Sequence, residues 1–212
     1  MVELAVEHDL IIFSDEIYEK IVYNGAVHYS PALMTDEVLC VTFNGLSKAY
    51  RAAGFRAGWM LLTGPVEESN DYREGLTILS NMRLCSNVPS QYVIQTALGG
   101  YQSIDDLIKP GGRLFEQMET SWKMIQDIPG MSCVKPQGAL YLFPKVDIER
   151  FNISDDEQFV LDLLKSEKIL LVQGTGFNWK SPDHFRIVFL PPLEVMKEAL
   201  TRLRSFLEHY KQ

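Results

Sequence analysis

The sequence predicts an α/β region followed by an α+β region, and three observations lead there. Leu10, Ile11, Ile12 and Phe13 form one short apolar run, and residues 38–43 form another, the pattern of strands covered on both faces. From Pro65 onward the texture becomes helical. Beyond Pro129 and Gly130, short alternating segments return, separated by turn residues and one capped helix, as in an antiparallel sheet with a single covered face. With 212 residues, 46% of them hydrophobic, the chain can fill an ordinary core in one large domain or two small ones. Two are expected, over residues 1–100 and 101–212.

In order along the chain, residues 2–8 read as the last turns of a helix that leads into the apolar run at 10–13. A chain that enters a buried strand so soon has no earlier strands to pack beside it, so an N-terminal portion is expected to be missing. Asn24, Gly25 and the stretch around His28, Ser30 and Pro31 have turn chemistry, after which the second strand follows. Residues 54–62 read as a third strand, punctuated by glycine where a backbone or ligand approaches closely. Pro65 suits a first helical position, and Asn87 or Ser90 can cap a helix running to Leu98. Pro110, Gly111 and Gly112 interrupt the pattern before an amphipathic helix over 113–128.

Two short strands flank Pro136, Gln137 and Gly138, and Ser154 with Glu157 makes a capping box for a helix carrying Phe159, Val160, Leu163 and Leu164 on one side. Strands over 169–172 and 185–190 flank the loop GTGFNWKSPDH. A helix over 193–210 closes the chain, with apolar residues at Met196, Leu200, Leu203 and Leu207.

The formal net charge of −8 disfavours a nucleic-acid backbone as the main partner, although Arg51 and Arg56 can still hold a small anion. Cys40, Cys85 and Cys133 are odd in number and widely spaced, so neither a disulfide framework nor a metal site is indicated, and a reducing compartment is expected. The opening carries Glu3, Glu7 and Asp9 where a signal peptide needs a basic start, and no segment approaches the roughly 18 apolar residues of a membrane span. A cytoplasmic protein without a membrane partner is expected.

Candidate chemistry lies where strands end. Lys48, in FNGLSKAYRAAGFRAGW, follows the second strand, where open α/β sheets place ligands. A lysine there can form an imine with an aldehyde cofactor if it reacts as the free amine, which partial desolvation and neighbouring cations favour. Arg51 and Arg56 supply such charge; the same lysine would also suit a solvated loop. After the first strand, SDEIY places Asp15 and Tyr18 together. A carboxylate can keep a pyridine nitrogen protonated and a phenol can hydrogen-bond a ring oxygen, yet an acid after a strand is also an ordinary cap or turn residue. Arg56 can grip a phosphate or pair with a surface acid. Arg186 alternates with apolar neighbours in HFRIVFL, and a buried guanidinium needs an anion, either a substrate carboxylate or an internal acid.

Taken together, Asp15, Tyr18, Lys48, Arg56 and Arg186 resemble in order and spacing the pyridoxal-phosphate aminotransferases of fold type I, class I/II. The stretches SDEIY, NGLSKAYRAAGFRAGW, RLCSNVPSQYVIQTALGGYQS, KPQGALYLFPKVD and VQGTGFNW with DHFRIV look like the bacterial alanine aminotransferase branch. The resemblance covers the whole chain but only the C-terminal half of such enzymes. It implies a truncated fold type I architecture: the C-terminal strands of the large mixed sheet plus the small α+β C-terminal domain.

The resemblance also implies roles. Lys48 is the Schiff-base lysine, Asp15 pairs with the pyridinium nitrogen, Tyr18 contacts the ring hydroxyl, Arg56 contacts the phosphate, and Arg186 is similar to the arginine that binds the substrate α-carboxylate. Many relatives carry a serine three residues before the lysine, where this chain has Gly45; Ser47 is a further phosphate candidate. The implied cofactor is pyridoxal 5′-phosphate, the implied substrates are L-alanine and 2-oxoglutarate, and the full-length family is homodimeric. Without the family's N-terminal half, the isolated chain is expected to be inactive or weakly active. Aromatic aminotransferases and carbon–sulfur lyases share this half-site. The aminotransferase-like sensing domains of transcription regulators keep the lysine, and a truncation product that binds no cofactor is a further alternative.

Overall fold

A computed structural model describes all residues from Met1 to Gln212. The chain divides into two compact units, Met1–Asp105 and Asp106–Gln212.

The first unit is built on a three-stranded sheet in the order β1 (Ile12–Asp15), β2 (Cys40–Gly45), β3 (Gly58–Thr63). β1 runs parallel to β2, with Phe13 opposite Val41 and Asp15 opposite Phe43, whereas β3 is antiparallel to β2, with Gly45 opposite Gly58. The central strand behaves as a β-branched apolar run should, since Cys40 and Val41 are fully buried. β1 differs from expectation. It begins at Ile12, alternates in burial, and leaves Phe13 59% exposed. The reason is position: β1 pairs only with β2, and the helix α1 (Val2–Glu7) offers it only Ala5 as a buried contact.

Further departures have local causes. The third strand starts at Gly58 because residues Ala53–Phe55 form a 3-10 turn, and Arg56 closes that turn in the left-handed region at φ 50°. Gly64, at φ +89°, must be glycine: a Cβ there would sit 2.2 Å from the Val38 carbonyl oxygen. Pro65 lies in the turn that follows, and the first long helix, α2, spans Asn70–Arg83. Helix α3 (Val88–Gly99) starts at Asn87, whose Oδ1 accepts from the Ser90 amide at 3.4 Å. The short helix α4 (Ile104–Ile108) was not signalled by the sequence pattern.

The second unit closes its core more completely. A three-stranded antiparallel sheet, β5 (Tyr141–Leu142), β8 (Phe185–Val188) and β7 (Val172–Gln173), is joined by a two-stranded pair of β4 (Met131–Ser132) and β6 (Lys145–Val146). Three helices contribute, α5 (Arg113–Gln126), α7 (Asp156–Glu167) and α8 (Leu193–His209), with a short α6 (Ile148–Phe151) between them. On α8, Met196, Leu200, Leu203 and Leu207 are all buried, as helical spacing requires of one face. Phe159, Leu163, Phe185 and Phe189 fill the interior. Asp155, rather than Ser154, caps α7, with Oδ1 accepting from the Glu157 and Gln158 amides; Ser154 is instead bonded to Gln212.

Candidate active site

The topology of the first unit brings three of the sequence candidates to one end of its sheet. Asp15 is the last residue of β1, and Lys48 lies three residues beyond the end of the parallel strand β2. Because β3 runs the other way, its first residues lie at that same end, and Arg56 precedes Gly58 by two.

The loop that carries Lys48 is held from both sides. Leu46 and Ala49 are buried, the Leu46 amide donates to Ala57 O at 3.1 Å, and the Ala52 amide donates to Leu46 O at 2.9 Å. The partly buried Lys48 places its Nζ 5.6 Å from the centre of the Tyr18 ring, where the ring face attracts a cation. Ser47 is half-buried beside it. Gly45 has a steric reason to be glycine: a Cβ would come within 3.0 Å of Ala57 O and 3.1 Å of the Gly58 Cα, so a serine there requires the neighbouring backbone to shift.

Asp15 is exposed, and its Oδ1 accepts from the Ile17 amide at 3.2 Å, a turn contact. Its neighbour Glu16 was overlooked in the sequence, yet it organises the loop behind the site. Glu16 is 4% exposed; it accepts from Ser30 Oγ at 2.6 Å and Ser14 Oγ at 3.0 Å and pairs with His28 Nε2 at 3.2 Å. Burial pushes its carboxyl up, but the bonds from Ser30, Ser14 and His28 outweigh burial and hold its pKa below the ordinary value. The missed signal is the period of two, which turns Glu16 inward when Asp15 faces out.

Arg56 is exposed, with Nη1 donating to Ala53 O at 2.7 Å. Beside it opens a cleft of about 790 Å³, lined by Gly58, Ser86, Asn87, Gln91 and Gln95 among others. Asn87 fixes one wall by donating from Nδ2 to Phe55 O at 3.1 Å. Arg51, also at positive φ, turns away to Ala49 O and Ser103 Oγ.

Arg186 belongs to the second unit, where it sits on the central strand β8. Its guanidinium carbon lies 4.7 Å from the Tyr141 ring centre and 4.6 Å from that of Phe177, and its Nε is buried without a hydrogen-bond partner. The buried acids of the unit, Asp156 and Asp183, bond elsewhere. Within the unit, this guanidinium is stacked on rings while its Nε lacks an internal acceptor.

Comparison with known proteins identifies the family. The family profile described as aminotransferase class I and II matches residues 1–203. The chain belongs to the class I and II aminotransferases. Among curated aminotransferases it is 59% identical over 212 residues to the glutamate-pyruvate aminotransferase AlaA of Escherichia coli strain K12, covering 100% of this chain and 52% of that protein. It is 58% identical to the alanine aminotransferase of Mycobacterium tuberculosis strain H37Rv, covering 100% of this chain and 49% of that one. Among solved aminotransferase structures, one from Escherichia coli matches with TM-score 0.97 at 59% identity, covering 100% of this chain and 52% of that chain. The alanine aminotransferase of Pyrococcus furiosus matches with TM-score 0.89 at 36% identity, covering 98% and 51%. The chain spans about half the length of the curated relatives it matches. Its mixed α/β architecture is the corresponding part of a fold type I aminotransferase, and none of its helices is long and apolar enough to cross a membrane.

Proposed function

We propose that this chain is part of a pyridoxal-phosphate-dependent alanine aminotransferase that exchanges an amino group between L-alanine and 2-oxoglutarate. The observation that carries the reading is the meeting of the Asp15 strand end, the Lys48 loop and the Arg56 turn at one end of the first sheet. The similarity to glutamate-pyruvate and alanine aminotransferases supports the substrate pair. Residues 1–100 are read as the C-terminal part of the cofactor-binding domain and 101–212 as the small domain, with the family's homodimeric state assigned to the full-length protein in the cytoplasm.

The donor set suits the cofactor. The Asp15 carboxylate suits a protonated pyridine nitrogen, the Tyr18 phenol a ring hydroxyl, and the Arg56 guanidinium with Ser47 a phosphate. Glycines at 45 and 58 bring two backbones close, where a Cβ at 58 would sit 2.6 Å from Asn44 O and one at 45 would be crowded at 3.0 Å from Ala57 O. When bound, pyridoxal phosphate supplies an electron sink for the charge that develops on the substrate α-carbon.

The chain's own groups then have distinct tasks. Lys48 Nζ would carry the proton from the substrate α-carbon to the cofactor's aldehyde carbon, and the Tyr18 ring face holds the amine within reach while it is not covalently engaged. Asp15 keeps its partner nitrogen protonated by a charge-assisted hydrogen bond. Arg186 takes the substrate carboxylate through two parallel N–H donors, matching its lack of an internal acceptor at Nε.

The test is covalent labelling. Pyridoxal phosphate added to the chain, followed by borohydride reduction and peptide mapping, is expected to mark Lys48, and Lys48→Ala is expected to abolish that mark. A label of equal yield on other lysines in both proteins would rule out the assignment. Pyruvate formation from alanine by the chain alone is expected to be absent or very low.

A further inference from the structure

We infer that Asp156 is a positioning residue that holds Phe177 against the Arg186 guanidinium and so fixes the orientation in which Arg186 meets a carboxylate. The inference rests on the assignment of Arg186 to the substrate carboxylate and adds a residue with no sequence signal for that task.

The two rings beside Arg186 are supported differently. Tyr141 lies on β5 and is fixed by its register opposite Val188 on β8. Phe177 ends a single 3-10 turn, Thr175–Phe177, is 45% exposed, and depends on whatever anchors that turn. The loop is pinched at its neck, where the Gly174 amide donates to His184 O at 2.8 Å, and a Cβ on Gly174 would come within 2.7 Å of that oxygen. At its far end Asp183 accepts from Trp179 Nε1 at 2.9 Å and pairs with His184 Nδ1 at 2.7 Å.

Asp156 holds the turn itself. It is 3% exposed, and its two oxygens divide between two groups of one residue: Oδ2 accepts from the Thr175 amide at 2.9 Å and Oδ1 from Thr175 Oγ1 at 2.7 Å. Helix capping does not explain this acid, because its neighbour Asp155 already caps α7. Burying a carboxylate is costly unless its bonds are good, and these bonds are made two residues before the ring that touches Arg186. With that ring in place, rotation of the guanidinium is restricted, and its fork of N–H donors is presented in a preset plane, which a bidentate carboxylate contact requires.

The experiment follows the Nε–H resonance of Arg186 in the 212-residue chain labelled at arginine nitrogen, with Phe177→Leu marking its position when that ring is lost. Asp156→Asn is expected to move the resonance most of the way to the Phe177→Leu position, and Thr175→Val, which keeps the amide bond, only part of the way. Pyruvate is expected to perturb the resonance in the parent chain and to bind about fivefold more weakly in Asp156→Asn, the scale of one ordinary hydrogen bond. Circular dichroism and the Trp122 Nε1–H resonance control for folding; if Asp156→Asn does not fold, Thr175→Val decides by its own displacement.

A resonance that stays at its parent position in the folded variants overturns the inference, even where pyruvate still perturbs it. A resonance that moves as expected while pyruvate leaves Arg186 untouched in the parent chain overturns the carboxylate assignment and keeps the Asp156–Phe177 contact.

Discussion

The two units of this chain are of nearly equal length but hold themselves together differently. In Asp106–Gln212 the apolar stripes of α5 and α8 and the inner face of the β5–β8–β7 sheet are covered by one another, and most of the chain's buried apolar side chains lie there. In Met1–Asp105 the central strand β2 is buried, yet α2 has no buried residue, and Phe13, Leu61 and Leu79 are 59%, 57% and 64% exposed. The difference teaches that a continuous apolar run guarantees burial only when the element has neighbours on both sides. Rank of hydrophobicity does not separate β1 from β8; neighbours do. The candidate cofactor residues belong to the more open unit, whereas Arg186 belongs to the closed one.

The sharpest way to break this comparison is a pair of truncations. Phe185→Ala, at a fully buried position of the second unit, is expected to cost about 3–5 kcal/mol, whereas Leu79→Ala on the exposed face of α2 is expected to stay within about 0.5 kcal/mol. Chemical denaturation read separately for each unit measures both. Equal costs would show that the exposed surface of the first unit is covered in solution.

A middling effect concerns acid. The depressed pKa of Glu16 means that the folded first unit binds this proton less readily than the unfolded chain does. Its stabilisation is therefore complete above the ordinary glutamate pKa of about 4.3 and is lost as pH falls through the lower folded value. Asp183 gives the second unit the same sign: burial raises its pKa, but the bonds from His184 and Trp179, with the His184 and Lys145 charges, bring it below the ordinary value. Glu16→Gln is expected to flatten the acid-dependent loss of the first unit alone, checked by denaturation midpoints between about pH 5 and pH 3. The smallest effect is expected on the surface. Glu194→Ala removes an exposed (i, i+3) partner of Lys197 on α8 and is expected to change stability by less than about 0.5 kcal/mol.

Much of the fold was legible in the sequence, and the exceptions have physical reasons. The α8 stripe was read, and of the two caps offered, Asn87 and Ser90, the structure uses Asn87, because spacing and a short polar side chain act within a few residues. The start of β3 was placed too early because Arg56 adopts a left-handed conformation, which an arginine rarely takes and which no neighbour announces. Pro65 was given to a helix that begins at Asn70, since a proline that suits a first helical position equally suits a turn. The cap of α7 fell to Asp155 instead of Ser154 because both are competent and the choice depended on Gln212, far along the chain. In the first unit, Lys48, Asp15, Tyr18 and Arg56 were singled out by residue type and by position relative to strand ends, and in the second unit Arg186 by its charge among apolar neighbours on a strand. Glu16 and Asp156 were not, because a buried acid is distinguished from an exposed one only by the donors that surround it.

By itself, then, the sequence determined which segments are strands and helices, which residues carry charge or nucleophilic chemistry, and the membership of the chain in its family. Those properties depend on local spacing and on residue identity, which are written along the chain. Tertiary structure decided that the ends of three strands meet, that Lys48 faces the Tyr18 ring, that Gly45 is crowded by the Ala57 and Gly58 backbone, and that Phe177 reaches Arg186. Each of these joins residues that are distant in sequence or depends on a backbone turn, and only the folded packing brings such groups within contact distance.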